Sequence, residues 1–252
     1  MNKDTLFLIK TVYDSAQLIT DDFFVASKDE RGDLVTSFDY DIEQFIIDAV
    51  KRDYPKFDIV SEEFNSDAEL TSNCVVIDPL DGTINFAHGL PLWGIQVAMI
   101  KGGKTIASVI YLPKLYELFW ADESGAYRIE NPTDIEKDII IRSKKILVSD
   151  RPACKSLYLV EGGDKFVALN KMNKDVSRHW RYFCCTALNS AWTACGRLGG
   201  AILRKDNVWD YLPGQYLIKQ AGGVIINKKG AHIGANSHDM AKLLLKKGKK
   251  IG

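Results

Sequence analysis

The sequence lacks an excess of charge of either sign: 33 Lys plus Arg stand against 33 Asp plus Glu in 252 residues. Bulk electrostatics therefore draws it neither to nucleic acid nor to an acidic membrane surface. It also lacks a long apolar run. The longest uncharged stretches, 82–100 and 182–196, are broken by Asn, His, Pro, Gly or Ser, whereas a membrane-crossing helix needs about 20 predominantly apolar residues in a row. The apolar run before Lys10 is too short for the core of a secretion signal, so export is not expected. Five cysteines, Cys74, Cys154, Cys184, Cys185 and Cys195, show no C-x-x-C and no Cys/His ligand spacing. That argues against a disulfide framework and a zinc centre, and a reducing cytoplasm is the simpler expectation. No Asn-x-Ser/Thr acceptor occurs, since Asn131 is followed by Pro132. What is present, 46% hydrophobic and 26% charged residues, is ordinary globular composition with the length for one large domain or two moderate ones.

Apolar spacing predicts amphipathic helices over 4–26, through Ile9, Val12, Tyr13, Ala16, Ile19 and Phe23, and over 40–53, through Ile42, Phe45, Ile46, Ala49 and Val50. The polar segment 28–33 between them has no period and suits a surface loop able to close over a ligand. Short apolar runs at 57–60 and 74–77 end in acids, Glu62-Glu63 and Asp78, as strands do when they deliver side chains to a site. Strands at 94–101 and 105–111 flank Gly102-Gly103, a tight hairpin signal, and 115–121 continues an antiparallel meander before Ser124-Gly125. Thereafter the pattern alternates: strand 146–149, helix 186–195 ending at Gly196, strand 201–204, helix 210–221 ending at Gly222-Gly223, strand 224–226. A soft boundary falls near 143, dividing the chain into 1–143 and 144–252. The Lys-rich end, 246–250, reads as a solvated helix terminus.

The informative segment is 75–83, Val-Val-Ile-Asp78-Pro-Leu-Asp81-Gly82-Thr83. A buried strand runs into two carboxylates three residues apart, with Pro79 stiffening the link, so both can be aimed at one point. Gly82 and Thr83 stand where a helical turn begins, and its free N–H groups favour a phosphate. Acids beside an anion pocket imply a bridging cation, and hard oxygen ligands with phosphate select magnesium. For an isolated Asp-x-x-Asp-Gly, a turn plus a cap is the commoner reading. An EF-hand fits poorly, because the alternating oxygen ligands are missing. Asp39, Glu62, Glu63 and Asp210 are each, alone, ordinary caps or surface charges.

Together these segments resemble a known family. Asp33-Leu-Val-Thr-x-x-Asp39, Ser61-Glu-Glu63, Asp78-Pro-Leu-Asp-Gly-Thr-x-Asn-Phe86 and Trp209-Asp210 with Ala221-Gly-Gly-Val224 look like the ordered motifs of the inositol monophosphatases, lithium-sensitive, magnesium-dependent phosphomonoesterases. The resemblance implies an α/β (α+β) chain, a layered αβαβα sandwich of the sugar-phosphatase type with an antiparallel meander in its first half and a second α/β half. The first half would carry most metal ligands. The second would carry Asp210 and the substrate-contacting residues. The resemblance further implies that Glu62, Asp78 and the carbonyl of Leu80 bind one Mg2+, and that Asp78, Asp81 and Asp210 bind a second, with a third, weaker ion near Glu62. Asp39 and Thr83 would orient and deprotonate the attacking water, with Glu62 and Lys28 also in the catalytic group. Gly82 and Thr83 would hold the phosphate, with Asp81 and Asp210 on the substrate side.

The substrate-facing run is Cys185-Thr186-Ala187, where the family commonly has Gly-Ser-Ala or Gly-Thr-Ala, and the position of an inositol-binding Glu is Leu203, beside Arg204 and Lys205. A missing acceptor weakens polyol recognition, and a cation there suits a second anionic group on the substrate. Two substrate readings therefore stand: an inositol 1-phosphate-like monoester, or a doubly anionic one such as 3′-phosphoadenosine 5′-phosphate, fructose 1,6-bisphosphate or a nicotinamide-dinucleotide phosphate. A non-catalytic binding or regulatory protein is the rival, disfavoured because every residue the reaction needs is present. A homodimer is the family expectation; a small phosphorylated substrate, a cytoplasmic location and neither nucleic acid nor membrane as partner complete the reading.

Overall fold

In the computed structural model, residues 1–28, 34–152, 158–160, 180–203, 207–228 and 231–248 are described. Most of the loop expected at 28–33, together with Arg204, Lys205 and 249–252, lies outside them. Helix α1 (Lys3–Ser15) starts where the Asn2 side chain accepts from the Thr5 N–H at 2.8 Å, and it buries Leu8, Ile9 and Val12 on one stripe. The helix expected to reach residue 26 stops early, passing into a 3-10 turn over Ala16–Leu18. Thr20, Asp21 and Asp22 follow, side chains that compete for the backbone and favour turns. Ile19 and Phe23 still pack on the core from irregular chain, and their spacing imitated a longer helix.

Strands β1 (Val25–Ser27) and β2 (Leu34–Thr36) pair antiparallel and lead into α2 (Ser37–Asp53). A seven-stranded sheet follows: β3 (Asp58–Ser61), β4 (Asn73–Asp81), β5 (Gly94–Lys101), β6 (Lys104–Leu112), β7 (Glu117–Asp122), β8 (Gly125–Glu130) and β9 (Lys144–Ile146), in that spatial order. Only β3–β4 is parallel; the rest is the expected meander, with the Gly102-Gly103 turn at positive φ. The strand expected at 74–77 is longer, running through both acids to Asp81 with a register break between Asp78 and Asp81. In this half β1, β2, β8 and the short α4 (Ile135–Ile141) escaped the sequence pattern, and the strand expected at 146–149 forms at 144–146 as a sheet edge.

A second sheet has the order β11-β10-β12-β14-β13, from β10 (Tyr158–Val160), β11 (Trp180–Arg181), β12 (Gly200–Leu203), β13 (Val224–Lys228) and β14 (Ala231–Ala235). Helices α5 (Thr186–Ala194) and α6 (Val208–Gln220) lie between the sheets, and α7 (His238–Gly248) covers the outside. Apolar alternation explains the layering. On β4 and β5, Val75, Ile77, Ile95, Val97 and Met99 meet the stripes of α1 and α2. On the opposite face of the first sheet, Ile110, Leu112, Phe119 and Ala121 meet Ala187, Leu188, Leu217 and Ile218 of α5 and α6. Beyond these, Ile202, Ile233 and Ala235 pack on Met240, Ala241 and Leu244 of α7. The result is the αβαβα sandwich. Where α5 crosses α6, Gly214 faces Ser190 so closely that a Cβ at 214 would lie 2.1 Å from Ser190 Oγ. None of the helices among the described residues is long and apolar enough to cross a membrane.

Candidate active site

The end of β4 and the starts of three helices converge. Asp78 and Asp81 come from β4; Asp210 sits in the first turn of α6; Thr186 and Ala187 open α5; Asp39 sits in the first turn of α2. A helix N-terminus carries partial positive charge, so three of them facing one point lower the cost of gathering anions there. Asp78, Asp81 and Asp210 are all buried, and an oxygen from each lies within 4.8 Å of the others. No ordinary hydrophobic core tolerates this: three like charges out of water repel strongly unless protons or cations intervene. Burial pushes the Asp78 carboxyl well above its ordinary value, and the charges of Glu62, Asp81 and Asp210 add to it. Asp78 Oδ1 is buried with no hydrogen-bond partner. An all-oxygen donor set with an unmatched carboxylate oxygen fits a hard divalent cation.

Protein donors hold the other oxygens. Asp81 Oδ2 accepts from Thr186 Oγ1 at 3.0 Å and from the Ala187 N–H. Asp78 Oδ2 accepts from Gln96 Nε2 at 3.0 Å, and the same amide nitrogen donates to Thr186 Oγ1 at 3.0 Å. Gly82 caps α3 (Thr83–Ala87) with φ +91°, and a Cβ there would lie 2.9 Å from the Leu92 carbonyl and 3.3 Å from Cys185 Cβ. Only glycine fits that turn. Cys185 is fully buried and caps α5, its Sγ 3.6 Å from the Asp81 carbonyl. None of the described cysteines is in a disulfide.

Asp39 serves two purposes. Its Oδ2 accepts from the Thr36 N–H at 2.7 Å and the Thr36 hydroxyl at 2.6 Å, closing a capping box, while Oδ1 lies 3.3 Å from Thr83 Oγ1. One oxygen of Asp39 thus makes the cap while the other faces Thr83. Burial pushes Asp39 up to about 6, against the two Thr36 donors. The Thr83 hydroxyl has one proton and two acceptors, Asp39 and the Leu80 carbonyl at 2.9 Å.

Glu62 follows β3 at the rim, and its charge raises both Asp39 and Asp78. Lys28 Nζ pairs with Glu62 Oε1 at 2.9 Å and with Glu63 Oε1. Burial disfavours the Lys28 charge, but the two carboxylates outweigh it and hold its pKa above the usual value. Burial pushes Glu63 up to about 7, opposed by Lys28. The structure thus brings Lys28, Asp39, Glu62, Asp78, Leu80, Asp81, Gly82, Thr83, Cys185, Thr186, Ala187 and Asp210 to one place. Leu203 belongs to β12, and Arg204 lies outside the described residues.

Two supporting residues escaped sequence reasoning. Glu43, fully buried on α2, accepts from the Ser61 hydroxyl and the Phe64 N–H with Oε1 and from the Glu63 N–H with Oε2, so it shapes the turn that carries Glu62. The available signal was its place on the apolar stripe Asp39-Ile42-Glu43-Ile46. Gln96 is the other, an amide in the apolar strand Ile95-Gln-Val-Ala-Met-Ile100. Glu43→Gln sets an NH2 donor against N–H or O–H donors and is expected to destabilise the fold by about 1–3 kcal/mol, measured by denaturant unfolding; an unchanged midpoint would contradict the assigned role.

The raised carboxyls give a signed pH dependence. Asp39 and Glu63 bind protons more tightly folded than unfolded, so between about pH 4 and 7 the native state carries more protons and its stability falls as pH rises. In chelator, the melting temperature is expected to rise by several degrees as pH is lowered from 7.5 to 5.5. A flat or opposite slope would refute the burial argument.

Layered α/β packing around a buried carboxylate cluster that could hold a metal ion fits a phosphoester-cleaving enzyme. The chain belongs to the inositol monophosphatase family, whose model matches residues 3–249, and is a phosphoric monoester hydrolase. It is 30% identical over 219 residues to the fructose-1,6-bisphosphatase/inositol-1-monophosphatase of Thermotoga maritima, covering 84% of this chain and 78% of that protein. It is 31% identical over 222 residues to the Nus factor SuhB of Escherichia coli, covering 84% and 79%. Among solved structures, the Thermotoga maritima IMPase superposes with a TM-score of 0.84 at 26% identity, each chain covered in full.

Proposed function

We propose that the chain is a magnesium-dependent phosphatase of a small phosphorylated metabolite, inositol 1-phosphate or a close analogue, acting by direct attack of water. The observation that carries this reading is the buried triad Asp78, Asp81 and Asp210 within 4.8 Å, with Asp78 Oδ1 unmatched. These three, with Glu62 and the Leu80 carbonyl, would hold two to three Mg2+ ions. Magnesium, when bound, lowers the pKa of the attacking water and offsets charge on the phosphate and the departing alkoxide.

The chain's own part is positioning and proton handling. The N–H groups of Gly82 and Thr83 hold the phosphate in a turn that admits no side chain. Thr83 and Asp39 form the proton path: the hydroxyl orients the water and passes its proton to Asp39, a carboxyl whose raised affinity suits a base near neutral pH. Lys28 closes the rim through Glu62 and Glu63. Thr186, Ala187 and Cys185 bound the alcohol side.

The Thermotoga relative is named for both a bisphosphate and a monophosphate substrate. It therefore supports, as second reading, a doubly anionic substrate met by Arg204 or Lys205. Lithium inhibition, a cytoplasmic location and a homodimer belong to the proposal under either substrate. The test is phosphate release, with and without magnesium, from inositol 1-phosphate, fructose 1,6-bisphosphate, histidinol phosphate, a nicotinamide-dinucleotide phosphate and 3′-phosphoadenosine 5′-phosphate. Magnesium-dependent release from a monophosphate polyol is expected. Preference for a doubly anionic substrate selects the second reading, and no release from any of them counts against both.

A further inference from the structure

Gln96 is fully buried in the middle of β5, and strand register places it directly opposite Asp78. Its flanking residues on the strand are apolar, so an amide there is a chemical exception. Both hydrogens of Nε2 are committed, one to Asp78 Oδ2 and one to Thr186 Oγ1, each at 3.0 Å. Because the Thr186 hydroxyl spends its own proton on Asp81 Oδ2 at 3.0 Å, it accepts from Gln96, which fixes the direction of every bond in the chain. Gln96 Oε1, by contrast, is buried with no hydrogen-bond partner. As a contribution to stability, then, this amide is poor: it desolvates a carbonyl for nothing. What it does achieve is to tie Asp78 directly, and Asp81 through Thr186, to one rigid strand.

We propose that Gln96 is a positioning residue for the cation site: its one amide nitrogen orients Asp78 and, through Thr186, Asp81, so that their remaining oxygens converge on one ion. This rests on the metal-dependent reading above. The bond takes up a position on Asp78 Oδ2 and leaves Oδ1 without a protein donor, and the shared donor correlates two carboxylates from opposite sides of the register break in β4. Supporting groups of this kind, one bond behind the ligands, typically govern metal affinity by about 10–100-fold when removed.

The test is calorimetric titration of Mg2+ and of Mn2+ into metal-free wild type and Gln96→Met, which keeps length and volume and deletes both donors. The melting temperature of the metal-free forms is measured alongside, and phosphate release is followed against magnesium concentration. The expected result is metal affinity weakened about tenfold or more in the variant, with a metal-free melting temperature within a few degrees of wild type. The magnesium requirement should rise while turnover at saturating magnesium recovers. A merely structural amide would lower the melting temperature and leave affinity alone, and unchanged affinity in folded Gln96→Met overturns the proposal. Should Gln96→Met fail to fold, Thr186→Val breaks the same relay at its second link; wild-type affinity there overturns it equally. Absence of Mg2+ and Mn2+ binding by wild type would overturn the metal-dependent reading itself, an outcome distinct from a variant that binds as wild type does.

Discussion

Asp81→Asn is expected to abolish magnesium-dependent phosphate release while leaving the metal-free protein as stable as wild type, or more so. The carboxylate sits among Asp78 and Asp210 with oxygens within 4.8 Å, and removing one of three buried like charges relieves repulsion. The amide oxygen of Asn can still accept from Thr186 and the Ala187 N–H, so both of these bonds are kept. Turnover should fall by more than about a hundredfold, because even outer-shell partners of a metal site are worth about 10–100-fold and a ligand is worth more. The measurements are phosphate release and melting curves with and without magnesium. Magnesium should raise the wild-type melting temperature and leave that of the variant unmoved. Wild-type-like activity in Asp81→Asn would end the cation-assembled reading.

The largest loss of stability is expected away from the site, at Glu117 on β7. This buried carboxylate accepts two parallel hydrogen bonds from Arg197, each 2.6 Å, one from Arg128 at 3.2 Å and one from the Trp192 indole at 3.3 Å. Arg197 also lies over the Trp192 ring, 5.3 Å from its centroid. The group fastens the first sheet to the end of α5. Glu117→Ala leaves the Arg197 guanidinium without its carboxylate, while Arg128 keeps its pair with Glu130 at 2.8 Å; breaking a buried pair costs about 3 kcal/mol at the lower end of the range, and Arg197 belongs there because its side chain keeps 38% of its exposure. For a protein of this size that corresponds to a melting temperature lower by roughly 6–12 °C. Thermal unfolding decides it, and a drop of less than a degree would show the pair to be dispensable. The loss should be equal with and without magnesium if the clasp acts on the fold and not on the site.

Why Asp78 and Asp81 were legible and Glu117 was not follows from distance along the chain. The acids of the site sit in short local patterns: a strand ending in Asp-Pro-Leu-Asp-Gly, a capping box around Asp39, Trp-Asp at a helix start. Each leaves a signature within a few residues. Glu117 finds Arg197 eighty residues later, and Gln96 finds Thr186 ninety residues later; no local period announces such pairs. Glu43 was hidden in another way, because its position fits the apolar stripe of α2 while its identity does not. The meander was readable because hairpin turns and alternation are local, whereas α4 and β8 carry weak patterns and took their form from their neighbours. The overlong α1 shows the converse failure: Ile19 and Phe23 keep helical spacing and face the core without being helical.

The near contact between Gly214 and Ser190 has a consequence for how this catalyst can vary. Thr186 stands one turn from Ser190 on α5, and Asp210 one turn from Gly214 on α6. The spacing of α5 and α6 beside the carboxylate cluster is therefore set by a pair of residues outside the cluster. A larger residue at 214 would spread the two helices and carry Asp210 away from Asp78, loosening the carboxylate cluster before the fold itself gave way. Substitution at that crossing would open the carboxylate cluster without any change in Asp78, Asp81 or Asp210 themselves.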